Sequence, residues 1–152
     1  MDMGDALPEA TVVLADGTPL ALGALAGRPA VIYFYPKADT PGCTREAEDF
    51  TRLGDAFAAA GVEVIGVSKD APAALAKFAA KRALSVRLAS DASGAVCDAF
   101  GVWGEKQMYG KTYMGIERAT FLFGADGRVA RAWRKVKVPG HAEEVLAAAR
   151  EL

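Results

Sequence analysis

Cys43 follows Thr40-Pro41-Gly42 directly, and Glu46 stands three residues beyond it. These residue types at this spacing suit a sulfur nucleophile. Cys43 is expected in the first turn of a helix, where unpaired backbone N–H groups carry partial positive charge. A thiolate is stabilised in such a place. Gly42, lacking a side chain, lets a small substrate come close to the backbone. Thr40 brings a hydroxyl that both donates and accepts, suited to holding a peroxide oxygen while facing the sulfur. Glu46 falls on the same helical face as Cys43. Alone its charge would oppose a thiolate, so a cation must stand between the two. Arg118, entering a later strand at Gly115-Ile116-Glu117-Arg118, is the candidate. A guanidinium held by Glu46 would stabilise the thiolate and polarise an O–O bond. The reaction that uses these parts is in-line attack of the thiolate on one peroxide oxygen. The other oxygen leaves as alkoxide or hydroxide, and the sulfur becomes a sulfenic acid.

The elements that must position these groups follow from the hydrophobic pattern. Pro29 to Tyr35 is a continuous β-branched and aromatic run, read as a central strand buried on both faces. Pro36 ends it, and Lys37 to Gly42 is a loop. A helix is expected from about Cys43 to Ala60, with Phe50, Leu53 and Phe57 on its apolar face and Gly61 as its cap. Val62 to Val67 is a second buried strand. Asp70 and Pro72 open a helix over Ala73 to Arg82. Val86 to Leu88 is a short third strand, and Ser90 or Asp91 caps a helix reaching Phe100. Gly101 to Gly115, with four glycines, reads as an irregular loop. Thr120 to Phe123 and Val129 to Trp133 flank the turn Ala125-Asp126-Gly127 as a hairpin. Val138 to Leu152 closes the chain with a helix starting near His141. Alternating βα units imply a mostly parallel central sheet with flanking helices, here with a C-terminal antiparallel hairpin. The expectation is one thioredoxin-like α/β domain over residues 1–152.

Bulk properties narrow the alternatives. A chain of 152 residues, 52% hydrophobic, supplies one well-filled core. Eighteen basic and nineteen acidic residues leave a net charge of −1, which does not suit nucleic-acid binding. Met1 to Glu9 lacks an apolar run, and no stretch is long enough to span a bilayer, so a cytosolic location is expected. Two cysteines are too few for a disulfide scaffold. With a single histidine, no metal or other cofactor is expected. His141 reads as a surface residue at a helix start. Arg131, Arg134, Lys135 and Lys137 read as a solvated edge strand. Trp103, Tyr109 and Tyr113 either line the pocket rim or anchor the glycine-rich loop.

The motif residues are similar to a known family. Pro36, Thr40 and Cys43 match the peroxiredoxin pattern Pro-x-x-x-Thr-x-x-Cys. The string from Tyr33 to Ala38 with Thr40 to Thr44 resembles the bacterioferritin comigratory protein subfamily, also called PrxQ. Ser68-Lys69-Asp70, Phe100 to Lys106, Tyr109-Gly110-Lys111 and Gly115 to Arg118 continue the resemblance in order along essentially the whole chain. It implies a thioredoxin-like fold and thiol-dependent reduction of hydrogen peroxide and organic hydroperoxides. It implies Cys43 as the peroxidatic cysteine, with Thr40 and Arg118 shaping the site and Glu46 positioning the arginine. It also favours a monomer reduced by a thiol protein such as thioredoxin or glutaredoxin.

One departure bears on mechanism. Many members of the subfamily carry a resolving cysteine five residues after the peroxidatic one, where this chain has Glu48. Others carry it around Phe78 to Lys81, where this chain has Ala79 and Ala80. Cys97, the only other thiol, stands beside Val96 on a helix face that also holds Phe100, the setting of a small core residue. The leading expectation is a one-cysteine peroxidase reduced by an external thiol. The alternatives are a two-cysteine enzyme with Cys97 resolving, and a peroxide sensor that passes oxidation to a partner protein.

Overall fold

The computed structural model describes all residues, Met1–Leu152. A seven-stranded sheet runs through the centre. Its strands are β1 (Thr11–Leu14), β2 (Pro19–Ala21), β3 (Ala30–Phe34), β4 (Glu63–Ser68), β5 (Arg87–Ser90), β8 (Ala119–Phe123) and β9 (Val129–Trp133), in the order β2-β1-β5-β4-β3-β8-β9. The core β5-β4-β3 is parallel, and antiparallel pairs extend it on both sides. The C-terminal hairpin is present as expected. The N-terminal pair β1–β2 was not expected: three and four residues give too little alternation to register. Helices α1 (Pro41–Arg52), α2 (Gly54–Ala59), α3 (Pro72–Lys81), α4 (Ala95–Phe100) and α5 (His141–Arg150) cover the sheet. None is long and apolar enough to cross a membrane.

β3 shows why the run is apolar throughout. Ala30, Ile32 and Phe34 enter one core cluster, with Val96, Cys97, Phe100 and Phe121. Val31, Tyr33 and Tyr35 enter the other, with Cys43, Phe50, Phe57, Leu75 and Val145. Successive side chains of a strand point to opposite faces, so both faces of β3 are dry. Tyr33 stacks on Phe50 with centroids 4.5 Å apart, which seats α1 on the sheet. Its ring lies across Gly66, the residue paired with it on β4. A Cβ on Gly66 would come within 2.5 Å of that ring, so only glycine fits.

Three local expectations change. The helix expected from Cys43 to Ala60 is two helices, broken at Leu53, where the N–H closes back on Asp49 and Thr51 and Gly54 disfavours continuation. Asp70 does not cap α3: its carboxylate accepts hydrogen bonds from the Ala38 N–H (2.8 Å) and the Ser68 hydroxyl (2.7 Å). It thereby ties the loop before Cys43 to the end of β4. Gly101 to Gly115 is mostly not irregular. It contains a two-stranded ribbon, β6 (Trp103–Met108) and β7 (Lys111–Ile116), turned at Tyr109-Gly110, both at positive φ. Two successive positive-φ residues make the tight hairpin turn that matches strand twist.

His141 is also corrected. It is buried at 4% exposure, its Nε2 lies 2.8 Å from the Thr120 hydroxyl, and it packs edge-on against Phe50 and Trp133. Burial lowers its pKa to about 4, assisted by the Arg118 charge and opposed by Glu144. Between that value and the ordinary 6.5, the unfolded chain holds a proton that the folded one refuses. Stability from this group is therefore complete above pH 6.5 and is lost on acidification toward 4. His141→Gln has no such titration. Thermal unfolding of both proteins is expected to show the parent's advantage over the variant shrinking steadily from pH 6.5 to 4.

Candidate active site

The site lies beyond the carboxyl end of β3, where α/β sheets gather their chemistry. Pro36 ends the strand. The loop turns at Asp39, whose φ is +62° and whose carboxylate pairs with Lys81 (2.7 Å) and Arg82 (3.1 Å) at the end of α3. Thr40 is then the N-cap residue of α1 and Pro41 its first helical residue. The helix thus begins two residues earlier than the sequence suggested, and Cys43 is the third helical residue. Its backbone N–H has no partner within the helix.

Three charged or chargeable groups meet here. Arg118 donates from Nη1 to Glu46 Oε1 at 2.7 Å and from Nη2 to Cys43 Sγ at 3.3 Å. Cys43 is 2% exposed and Glu46 1%, so this contact is made away from water. Only one Glu46 oxygen is satisfied; Oε2 is buried without a hydrogen-bond partner. Burial therefore pushes the Glu46 carboxyl up to about 7, against the pull of Arg118. Burial also works against the Arg118 charge, but Glu46 and Cys43 outweigh it and hold the guanidinium protonated. Tyr33 is fully enclosed, and desolvation keeps it a neutral phenol beside Tyr35, Glu46 and Cys43.

Thr40 donates its hydroxyl proton to the Lys37 carbonyl at 2.8 Å and makes no side-chain bond to the helix N–H groups. With its proton so used, the oxygen retains lone pairs to accept a hydrogen bond from a substrate O–H. Gly42 has a specific reason to be glycine: a Cβ there would stand 3.3 Å from Arg118 Nη2, the nitrogen that donates to sulfur. Gly42→Ala is expected to raise stability slightly, by up to about 1 kcal/mol of helix propensity. The same change should lower the peroxide rate severalfold by moving Arg118. Urea unfolding together with peroxide-consumption kinetics separates the two effects.

Cys97 is not brought to Cys43. It belongs to the core cluster on the opposite face of the sheet and is fully buried. Its N–H donates to Asp91 Oδ2 at 2.7 Å, and burial and the Asp91 carboxylate both push its thiol pKa up. Asp91, expected as a cap, does serve α4 in this way, from outside the helix. Sequence reasoning missed the Asp70 tie, the Asp39 ion pairs and the neutral Tyr33. The first two join segments more than thirty residues apart, and Tyr33 sits inside an apolar run that gives no sign of its partners.

The family model of the AhpC/TSA family matches residues 3–132. "Peroxiredoxin Bcp" of Xanthomonas campestris is 51% identical over 146 residues, 93% of this chain and 91% of that protein. "Peroxiredoxin Bcp" of Escherichia coli is 43% identical over 143 residues, 94% and 92% of the two chains. Among solved structures, the bacterioferritin comigratory protein of Xanthomonas campestris, studied for alkyl peroxide reduction, superposes with a TM-score of 0.91. It shares 47% identity and covers 99% of this chain and 98% of its own. A cysteine-to-serine variant of Xylella fastidiosa PrxQ gives a TM-score of 0.94 at 40% identity, with 99% and 96% covered.

Proposed function

Because this chain belongs to the AhpC/TSA family, as a thiol peroxidase among the Bcp and PrxQ peroxiredoxins, we propose that Cys43 attacks the peroxide and that a thiol from outside the chain completes the cycle. The observation that carries this reading is the single guanidinium shared between Glu46 and the Cys43 sulfur, with the second thiol beyond the sheet.

The thiolate attacks the nearer peroxide oxygen, and Arg118 lies where negative charge passes from sulfur to the leaving oxygen. A donor fixed in a water-poor site costs no reorganisation as that charge develops. Glu46 holds the guanidinium in place, and Thr40 accepts from the substrate O–H. Pro36 ends the strand that aims the loop, and Gly42 keeps the approach to Arg118 open. The leaving oxygen takes up a proton, and Cys43 is left as sulfenic acid. The reducing partner is a thiol protein of the thioredoxin or glutaredoxin kind or a small thiol. The working state is a monomer in the cytoplasm.

The test is mass spectrometry of the parent and of Cys97→Ala during turnover with one equivalent of peroxide. Both should gain one oxygen atom at Cys43, with no intramolecular disulfide, and Cys97→Ala should turn over at the parent rate with an added thiol. A Cys43–Cys97 disulfide forming as fast as turnover would overthrow the one-cysteine reading.

A further inference from the structure

A cleft of about 470 Å³ opens beside the site, between the end of β3, the end of β4 and the β6–β7 ribbon. That size falls within the roughly 300–1,000 Å³ of small-molecule sites. Three lysines are among the residues that line it: Lys37 from the loop before α1, Lys69 after β4 and Lys106 from β6. Trp103, Tyr113 and Met114 supply its apolar wall.

Two of the lysines are held in place. Lys69 lies over the Trp103 ring at 4.0 Å, and Lys106 donates to the Ile116 carbonyl at 2.6 Å. That carbonyl is two residues before Arg118, and burial, with the Arg118 charge, holds the Lys106 pKa below its ordinary value. Asp70 also lines the cleft and keeps its negative charge, since its partners, the Ala38 N–H and the Ser68 hydroxyl, are neutral. Glu117, nearby, is paired with Arg134 at 2.9 Å. Three lysines against one carboxylate leave the cleft lining net positive.

We infer that this cleft receives the reductant, and that the reductant it fits is a small thiol bearing carboxylates. The inference rests on the one-cysteine reading proposed above. The thiol's sulfur, as thiolate, attacks the Cys43 sulfenic sulfur; the S–S bond forms, the S–O bond breaks, and the hydroxide takes up a proton to leave as water. A second thiol attacks the mixed disulfide, releasing the Cys43 thiolate and the oxidised disulfide of the reductant. Lys37, Lys69 and Lys106 draw the carboxylates and so raise the local concentration of the anionic thiol.

The experiment compares three probes as reductants at low salt: glutathione, neutral 2-mercaptoethanol and cationic cysteamine. The proteins are the parent, Lys69→Glu and Lys69→Met, the last preserving apolar packing on Trp103. Glutathione kcat/KM is expected to fall about tenfold in the charge-reversed protein and severalfold in Lys69→Met. The 2-mercaptoethanol value should stay within twofold, the cysteamine value should rise, and peroxide oxidation of Cys43 should be unchanged. Equal effects on all three thiols, or none on glutathione, overturn the inference. Turnover with a protein dithiol but with none of the three probes overturns the inference and leaves the one-cysteine reading standing. A Cys43–Cys97 disulfide on the pathway overturns both.

Discussion

Cys43→Ser is expected to abolish peroxide turnover, a loss of roughly 10⁴-fold or more, while the protein folds normally. The two effects separate because the sulfur's structural role is small. A serine hydroxyl fits the same space and still accepts from Arg118, which now donates to sulfur at 3.3 Å. A hydroxyl does not ionise near neutral pH, however, and a neutral hydroxyl is a poor nucleophile toward the O–O bond. Cys97→Ser is the matched control. It removes a fully buried thiol from the other face of the sheet and should cost stability without slowing oxidation. Peroxide consumption and circular dichroism on the two variants decide the assignment. Retention of more than a hundredth of the rate in Cys43→Ser would end it.

Arg118→Met is expected to slow Cys43 oxidation by roughly 10²–10³-fold, the usual cost of removing one donor aimed at developing charge. It should also destabilise the fold, because Glu46 at 1% exposure loses its only hydrogen-bond partner. Breaking a buried pair typically costs about 3–5 kcal/mol. Here the loss should be smaller at low pH. Glu46 already titrates near 7 when folded, against 4.5 unfolded, so the folded state holds the extra proton. Stability from that proton is present below 4.5 and is lost as pH rises through the folded value. Without Arg118 the folded value moves higher, and the penalty of the variant grows between pH 5 and 8. Urea unfolding at both pH values reads this directly. Adding Glu46→Gln to Arg118→Met should restore stability at pH 8 and leave the rate low. Recovery of rate in the double variant would show that the arginine acts only as a structural partner of Glu46.

The parts legible in the sequence were those whose signals are local. β3 declares itself by an unbroken apolar run, β4 by a run interrupted only at Glu63, and the β8–β9 hairpin by its Asp-Gly turn. The motif from Pro36 to Cys43 needs eight consecutive residues. The β6–β7 ribbon escaped because its exposed strands carry Met108, Tyr113 and Met114 toward solvent, which blurs the alternation. Its turn, Tyr109-Gly110, puts a tyrosine where asparagine or aspartate is the usual signal. His141 escaped for a different reason. One polar residue at a helix start reads as surface unless its partner is known, and Thr120 lies 21 residues earlier. The contact between Arg118 and Glu46 spans 72 residues. It was inferred from a charge argument, since two negative groups on one helical face require a cation.

The central sheet has a practical consequence for anyone who labels this molecule. Cys97, at 0% exposure behind β3 and β4, is closed to reagents while the fold persists. On the function proposed above, Cys43 meets peroxide at the start of α1, so an alkylating agent is expected to find one reactive equivalent there in the native protein. A second equivalent emerges only when the layer of Val96, Phe100 and Phe121 comes apart. The rate at which Cys97 becomes modified then serves as an internal clock for global opening, run in the same tube as Cys43.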